Sequence, residues 1–443
     1  MTIKDKFTIN TAKLVRFLLK KTNHNATSLP GKIAYNMNKD VLKALSKNTK
    51  FIFITGTNGK TMTTHYVTSI LNNEYEEVFT NESGSNMIQG IITSLLDNPS
   101  DKETVAVLEV DEANLIRISK FLKPDYVILT NLFKDQVDRF KNIENVYEKI
   151  LNGLKLCSET KIIANGDLPI FSYDSLKEYK PIYFGIRKDG KKEDDYILDA
   201  KSQSEGILCP KCNSKLKYRL VNYSSLGDFS CPNCDFKSPK LKYKIEKIDS
   251  IKADFSKFFL DGESYESEIG GLYNIYNALA AISLAKELCI SYDKIYDGIK
   301  NQEHISGRQE SVRVEGKELI INLVKNPTGL NQIIDLILLE DDPISLYCFL
   351  NDNYADGRDI SWINESYYEK LKNLDIKDVK VSGLRSKDMK ERLKKANIFD
   401  GEIEDFNFEE EILDKIRNSK TQKIYILSTY TAMLRLREVL NLK

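Results

Sequence analysis

The feature that most constrains the fold is an alternation of short, apolar, β-rich runs with helical segments, which begins near residue 51. FIFIT, TVAVLEV, YVILTN, IIAN and PIYFG are strand candidates, and helical patterns start at Lys60 and Asp111, directly after the first two of them. Such alternation is the pattern of a doubly wound parallel sheet with helices on its faces. The sequence therefore predicts an α/β protein.

Two further segments flank this central unit, residues 51–308. Residues 1–50 predict a helical lead-in of two helices. The apolar residues that recur there at helical spacing include Leu14, Phe17 and Leu18. Residues 309–443 predict a second, smaller, Rossmann-like α/β domain, whose strand candidates are ELIINLV, ISLYCFL, VKVSGL and KIYILST.

The charge balance gives the whole chain no overall attraction for polyanions, so any charged ligand must be bound locally. The 443 residues include 65 lysines and arginines and 65 aspartates and glutamates, so no net charge attracts nucleic acid or an anionic surface. No run of about 18 apolar residues that could cross a membrane occurs, and the N-terminus lacks a secretory signal. We therefore expect a cytoplasmic protein without a transmembrane segment that binds no nucleic acid.

A glycine-rich loop joins the first predicted strand to the first predicted helix. Its residues are Thr55, Gly56, Thr57, Asn58, Gly59, Lys60 and Thr61. Glycines let the backbone curl around phosphates, and the amides at the start of a helix attract anions. Lys60 can reach the outer phosphates, and the Thr61 hydroxyl can ligate Mg²⁺. The loop predicts a nucleotide site, and the alternative is a plain glycine turn before a helix.

Four of the seven cysteines form two Cys-Pro-x-Cys pairs, where the α/β alternation is interrupted between about residues 187 and 269. The pairs, eighteen residues apart, are Cys209 with Cys212 and Cys231 with Cys234. Four thiolates at this spacing predict a closed, structural Zn²⁺ site in a ribbon at about 205–240. Aromatic residues available to cover the ribbon are Tyr218, Tyr223, Phe229 and Phe236. We predict that the whole interruption is an insertion.

The compact loop sequence TGTNGKT resembles the ATP loop of the Mur ligases and of folylpolyglutamate synthase. A carboxylate at a strand end can complete the Mg²⁺ shell, and Glu109 ends the strand LEV. Asn274 and Asn277, in YNIYNALAA, match the asparagines that this family presents to the adenine. Arg308 matches the Gly-Arg pair that ends the family's central domain. The resemblance implies ATP and Mg²⁺ as cofactors.

Within the Mur ligase family the chain is similar to the MurT subunits. Two expected features carry this similarity: the predicted zinc-ribbon insertion, and a segment before the loop that we interpret as too short for the UDP-sugar-binding domain of ordinary Mur ligases. Further similar motifs are LPGKIA near the start, NxxGSNM at 81–87, TNLFKDQVDRF at 130–140, NLVKNPTGLNQ at 322–332 and NDNYADGRDISWI at 351–363. This resemblance implies ATP-dependent amidation of the α-carboxylate of D-glutamate in lipid II, at the inner membrane face. It also implies a heterodimer with a GatD-like glutaminase that supplies ammonia.

Three residues are candidates for the chemistry. Lys60 would neutralise the transferring phosphoryl group as an acyl phosphate forms. No cysteine and histidine pair of a glutaminase is recognisable in the chain, so ammonia must come from elsewhere. By resemblance, an aspartate of the loop 352–359 completes the partner's triad, with Asp359 as first choice and Asp356 as second. The alternative is that this loop is a solvent-exposed turn without a catalytic role.

Two other functions stay open. One is a ligase of the Mur or folylpolyglutamate type that adds an amino acid to a soluble acceptor. The other is a regulatory module that binds ATP without ligation and uses its ribbon to dock a partner. Ammonia-dependent formation of an amidated product separates the amidating enzyme from both.

Overall fold

The structure, a computed structural model, describes residues 1–21, 28–81, 87–96, 104–134, 143–187, 198–199, 207–302 and 305–442. Parts of two motifs, residues 82–86 and 135–140, therefore lie outside the described residues. The α-helices are Ile3–Lys21, Leu29–Met37, Val41–Leu45, Lys60–Asn72, Ile88–Leu95, Leu115–Ile118, Ile143–Leu154, Asp174–Lys177, Leu272–Glu287, Tyr292–Lys300, Pro327–Ile337, Ser386–Ala396, Phe408–Arg417 and Tyr430–Val439. Short 3₁₀ helices are Pro169–Ser172, Ser361–Glu365 and Tyr368–Asn373.

The strands, numbered in chain order, are β1 Thr49–Thr55, β2 Val78–Thr80, β3 Thr104–Glu109, β4 Tyr126–Leu129, β5 Lys161–Asn165, β6 Ile182–Ile186, β7 Leu198–Asp199, β8 Lys217–Tyr223, β9 Leu226–Ser230, β10 Tyr243–Ile251, β11 Ser256–Leu260, β12 Glu263–Ser267, β13 Glu310–Val314, β14 Lys317–Leu323, β15 Ile344–Phe349, β16 Ile376–Ser382, β17 Ile403–Asp405 and β18 Lys423–Ser428. Among the described residues, no helix has both the length and the apolar character needed to cross a membrane.

The larger sheet has nine strands in the order β12-β11-β10-β6-β5-β4-β1-β3-β2. The strands from β2 to β10 in this order run parallel, and β11 and β12 form an antiparallel edge. All residues from Phe51 to Thr55 in β1 are buried, as a central strand requires. The chain visits β2 and β3 on one side of β1 before it continues to β4 on the other side. The loop after β1 therefore lies where the strand order reverses, the usual ligand-binding position in such sheets.

The insertion is smaller than the sequence pattern predicts. Of the strands between 187 and 269, only β7, β8 and β9 form a sheet of their own. β10 pairs in parallel with β6, placing Tyr243 beside Phe184 and Ile245 beside Ile186. Because Tyr243 and Ile245 are buried in the main core, β10 and the strands after it complete the larger sheet. The prediction that the whole segment is inserted is therefore wrong.

The second sheet has six strands in the order β13-β14-β18-β15-β16-β17. All neighbours run parallel except β13 and β14. The four strands predicted from the sequence, β14, β15, β16 and β18, are confirmed, and so is an α/β fold. The two edge strands were not predicted, because β17 has three residues and β13 is only partly buried.

The described part of residues 1–50 forms three helices instead of the predicted two, and they pack on the core of the larger sheet. Ile9 and Ala12 of the first helix, together with Ala34 of the second, belong to that core. The apolar residues predicted from the spacing of the first helix lie on its exposed face: Leu14, Phe17 and Leu18. The domain boundaries at residues 50 and 308 stay predictions.

Candidate active site

The glycine loop, residues 55–61, is fixed by the chain that follows β4. The Thr57 amide donates to the Asn131 carbonyl and the Asn58 amide to Asn131 Oδ1, both at 2.9 Å. The Thr130 hydroxyl and the Asn131 side-chain amide donate to the Asn58 carbonyl at 2.9 and 3.0 Å. Thr130 and Asn131 thus satisfy backbone groups of the loop. Sequence reasoning missed both, although two polar residues directly after an apolar strand were an available signal.

Gly56 and Gly59 both occupy backbone conformations that favour glycine. Their φ angles are 135° and 81°. A Cβ at Gly56 would lie 2.3 Å from the Thr130 hydroxyl, and one at Gly59 would lie 2.2 Å from Asn277 Oδ1. Close packing on two sides therefore adds to the conformational reason for glycine at both positions.

Two oxygen donors of the kind that Mg²⁺ prefers lie together beside the loop. The Thr61 hydroxyl donates to Glu109 Oε2 at 2.9 Å. Glu109 is held at the end of β3 by Asn81, whose side chain accepts from the Glu109 amide and donates to its carbonyl, both at 2.9 Å. A hydroxyl and a carboxylate next to a phosphate site fit a Mg²⁺ ion that also binds phosphate oxygens. Asn81 is a positioning residue that was not predicted.

Lys60 folds back over its own loop. Its ammonium donates to the carbonyls of Gly56 and Thr57, the latter at 3.3 Å, and lies 3.8 Å from Glu112 Oε1. Phosphate oxygens are stronger acceptors than neutral carbonyls, so the ammonium can turn towards an anion bound at the loop. Glu112 was not predicted, although its place three residues after Glu109 in EVDE was a signal.

Asn274 and Asn277 lie buried on the first turns of the helix Leu272–Glu287. Asn277 donates to Asn274 Oδ1 at 3.2 Å, and Asn274 donates to the Gly270 carbonyl at 2.8 Å. Asn277 Oδ1 also accepts from Thr63 at 3.4 Å. This chain of bonds orients Asn277 directly against the glycine loop, where the sequence resemblance expects contacts to a nucleotide.

Two residues from the second half of the chain complete the site. Burial lowers the pKa of Arg308, and the negative charge of Glu109 opposes this fall. Asn326 caps the helix Pro327–Ile337 and exchanges two hydrogen bonds with Asn58 of the glycine loop, at 3.0 and 3.3 Å. The reciprocal amide pair ties the second sheet to the candidate nucleotide site.

The four cysteines lie together at the tip of the ribbon, which comprises residues 207–238. Their sulfur atoms all lie within 4.8 Å of one another. Three of the distances are 3.4 Å from Cys212 to Cys231, 3.6 Å from Cys209 to Cys234 and 3.7 Å from Cys212 to Cys234. Zn–S bonds of about 2.3 Å in a tetrahedron require sulfurs about 3.8 Å apart. The cluster could therefore hold Zn²⁺ with little rearrangement.

The ribbon packs on its own small core and on the main core. Tyr218, Phe229 and Phe236 form the small core with Cys209 and Cys231. Tyr223, predicted to cover the ribbon, instead enters the main core, with its ring centroid 5.5 Å from Tyr276 and 6.2 Å from Phe133. That prediction is wrong for Tyr223 because β8 runs from the ribbon back to the larger sheet.

A buried carboxylate lies where the ribbon meets the sheet. Asp167 accepts hydrogen bonds from the Tyr276 hydroxyl at 2.6 Å and from the Ile186 amide at 2.8 Å, and it forms an ion pair with Arg187. Asn222 of β8 donates to the Tyr276 hydroxyl at 2.6 Å. Burial raises the pKa of Asp167, and the positive charge of Arg187 opposes this rise. This network joins the ribbon to the helix that carries Asn274 and Asn277.

Asp356 and Asp359 share the loop after β15 but differ in environment. Asp356 is buried, and its carboxylate accepts from the Thr431 amide at 2.7 Å, the Thr431 hydroxyl at 2.6 Å and the Asn353 amide at 3.1 Å. Asp359 is exposed and accepts from the Ser361 amide at 2.8 Å. Hydrogen bonds from Ser361 lower the pKa of Asp359. Asp356 therefore holds the loop on the last helix, whereas Asp359 presents a charged group to solvent.

Family models and solved structures show which class of protein has this fold. Residues 54–234 match the family model of the Mur ligase middle domain, and residues 323–433 match that of the MurT ligase C-terminal domain. The structure is similar to a pseudomurein peptide ligase type C from Methanothermus fervidus, with a TM-score of 0.65 and 22% identity over 91% of this chain and 80% of that one. The fold is that of the Mur ligases.

Two similar proteins show to which family of Mur ligases the chain belongs. A protein from Streptococcus pneumoniae named lipid II isoglutaminyl synthase (glutamine-hydrolyzing) subunit MurT is 39% identical, over 99% of this chain and 98% of its own. A protein of the same name from Staphylococcus aureus is 34% identical, over 88% of this chain and 87% of its own. The chain belongs to the MurT family of ligases.

Proposed function

We propose that this protein amidates the α-carboxylate of the D-glutamyl residue of lipid II, in peptidoglycan synthesis, with ATP and with ammonia from a GatD-like glutaminase partner. The observation that carries the proposal is the convergence of the glycine loop, the Thr61–Glu109 pair and Asn326 at one place. A ligase that uses ATP and Mg²⁺ needs a phosphate-binding loop, oxygen ligands for the metal and a contact from the second sheet at one place. The substrate, lipid II, is taken from the names of the two MurT relatives.

The chemistry follows from the weakness of a carboxylate as an electrophile. When bound, ATP supplies the phosphoryl group that converts the carboxylate to an acyl phosphate, and ammonia then displaces inorganic phosphate to leave the amide and a proton. Lys60 would neutralise the phosphoryl oxygens, and Thr61 and Glu109 would hold a Mg²⁺ ion that supplies further positive charge there. Asn274, Asn277 and Arg308 would hold the nucleotide. Closure of the second sheet over the loop through Asn326 would exclude water from the acyl phosphate.

Asp359 would supply the third residue of the catalytic triad of the partner's glutaminase. A cysteine–histidine dyad needs a third group that orients the imidazole, and an ionised carboxylate at the surface can provide it across an interface. The exposure of Asp359 and its lowered pKa support this role over Asp356, which is already used within the chain.

We further propose that the four-cysteine cluster binds Zn²⁺ as a closed structural site. The distances between its sulfurs and the aromatic core beneath it support a metal that stabilises the ribbon. The reaction would take place at the inner face of the membrane, with the protein bound peripherally, because lipid II is anchored there.

The test is amidation by the purified complex. Lipid II in detergent is incubated with ATP, Mg²⁺ and either ammonium chloride or glutamine, and the product is measured by mass spectrometry together with ADP release. We expect amidated product with both nitrogen sources, and none from the Lys60→Ala variant, whose folding is checked by circular dichroism. Product that forms with a free amino acid but not with ammonia would refute the proposal and favour an ordinary amino-acid-adding ligase.

A further inference from the structure

The first helix, Ile3–Lys21, has an apolar face that the other described residues leave exposed. Five large apolar side chains on it are between 53% and 90% exposed: Ile3, Phe7, Leu14, Phe17 and Leu18. The residues of this helix that face the core are Thr8, Ile9 and Ala12. The helix therefore contacts the protein with one side and presents a large apolar surface on the other.

The exposed apolar residues lie in a stripe on one side of the helix, where Asn10 and Lys21 are also exposed among them. With about 100° of rotation per residue, the five side chains fall within an arc of about 100°. The centre of this arc lies about 170° from the centre of the buried face, so the two faces point in opposite directions. Between Ile3 and Leu18 the stripe is about 22 Å long, from a rise of about 1.5 Å per residue. Exposed apolar surface of this extent on one helix indicates a binding surface.

Basic residues border the stripe. Lys6, Lys13 and Lys20 repeat at intervals of seven on one side of it, about 20–60° beyond its edge, and Lys4 lies on the other side. Lys21 lies within the stripe, with its ammonium over the Phe17 ring. The helix has six basic residues and one acidic residue, Asp5, whereas the whole chain has no net charge. Positive charge is therefore concentrated beside the apolar stripe.

We propose that this helix, which we name the stripe helix, binds an anionic lipid surface with its apolar stripe among the headgroups and its lysines at the phosphates. Helices that lie in a membrane interface combine an apolar face with lysine and arginine at its borders. Long lysine stems can lie along the apolar region while the ammonium stays in water. The core of a protein interface, by contrast, is depleted of lysine, which disfavours a second copy as the occupant. The biological role of this membrane contact rests on the proposed function, because an enzyme that acts on a lipid-linked substrate must work at the membrane.

The test is sedimentation of the full-length protein with vesicles that contain no lipid II. Vesicles of phosphatidylglycerol mixed with phosphatidylcholine are compared with vesicles of phosphatidylcholine alone. We expect binding to the anionic vesicles that is at least about tenfold stronger than to the neutral ones, and weaker at high salt. Replacing Lys6, Lys13 and Lys20 by Gln should weaken binding by about fivefold per lysine at low salt.

Variants of the apolar stripe test the second half of the proposal. Phe7→Ser and Leu14→Ser should each weaken vesicle binding by about tenfold or more, because each removes a large apolar side chain from the bound state. The matched control is Leu338→Ser with Leu413→Ser, which changes two exposed leucines elsewhere and should leave binding unchanged. Circular dichroism should show wild-type folding in all variants, because every changed residue is exposed.

Three results would overturn the proposal. These are equal binding of the wild-type protein to both kinds of vesicle, absence of binding, and wild-type binding by the Phe7→Ser variant. Sedimentation velocity without vesicles provides a further check. A wild-type dimer that Phe7→Ser converts to a monomer would assign the stripe to a contact between two copies. Amidation of detergent-dispersed substrate should be the same in wild type and Phe7→Ser, so failure of the proposed function and failure of vesicle binding are distinguishable.

Discussion

Asp359→Asn and Asp356→Asn should produce two different defects, although only two residues lie between these positions. The first substitution should remove glutamine-driven amidation and spare ammonia-driven amidation. The second should destabilise the second domain. The reason lies in the partners of each carboxylate, because Asp359 is exposed while Asp356 is bonded to Asn353 and Thr431.

The expected magnitudes follow from these contacts. In Asp359→Asn the Oδ1 atom can still accept from the Ser361 amide, so the free energy of unfolding should change by no more than about 0.5 kcal/mol. In Asp356→Asn the new NH₂ group must face the backbone amide of either Thr431 or Asn353, whichever way the side chain turns. Loss of hydrogen bonds to a buried charged acceptor should lower the free energy of unfolding by about 2–4 kcal/mol.

The assay compares initial rates of lipid II amidation by the complex with glutamine and with ammonium chloride, alongside urea unfolding of each variant. For Asp359→Asn we expect a fall of about 100-fold or more with glutamine, by analogy with the loss of the third member of a catalytic triad. The rate with ammonium should equal that of the wild type. Equal loss of both rates would refute the assignment of Asp359. Wild-type stability of Asp356→Asn with selective loss of the glutamine-driven rate would reverse the two roles.

Three further predictions concern the loop, the buried network and the ribbon. Gly59→Ala should weaken binding of a nonhydrolysable ATP analogue, measured by calorimetry, by at least about 100-fold, since its Cβ would lie 2.2 Å from Asn277 Oδ1. Gly262→Ala is the matched control, with a φ of 78° and no atom within 4 Å of the new Cβ, and should bind normally. Tyr276→Phe removes a donor to the buried Asp167 and should lower the free energy of unfolding by about 2 kcal/mol in urea, whereas wild-type stability would contradict the network. Removal of zinc by a chelator should raise hydrogen exchange in β8 and β9 well above that in β1, and uniform exchange would contradict a metal-stabilised ribbon.

The local part of the candidate site could be predicted from the sequence, and the part built from distant strands could not. Strand, glycine loop and helix are contiguous between residues 49 and 72, so a pattern of apolar residues and glycines identifies them. Asn131 and Glu112 reach the same place from the ends of β4 and β3, and their proximity depends on strand order and register. A single sequence carries no direct signal of that register.

Residue type and periodicity also do not predict which of two chemically similar residues is buried and which is exposed. Asp356 and Asp359 have the same chemistry in the same turn, and they differ because Thr431, in a helix that begins beyond β18, reaches only the first of them. In the first helix, apolar residues occur on both faces. Ile9 and Ala12 form the buried face together with Thr8, whereas Leu14, Phe17 and Leu18 remain exposed.

The ribbon and the candidate nucleotide site form one packed structure. Tyr223, at the end of β8, lies between the rings of Tyr276 and Phe133, at centroid distances of 5.5 and 6.2 Å. The Phe133 amide donates to the Thr57 hydroxyl in the glycine loop at 3.0 Å, and Tyr276 precedes Asn277 on the helix that packs against that loop. Any metal that stabilises the ribbon therefore also favours the conformation of Tyr223 that supports both elements, because binding to the folded state stabilises all that folds with it. This connection gives the ribbon a physical role in a Mur-type ligase, because the ribbon supports the glycine loop through Tyr223 and Phe133.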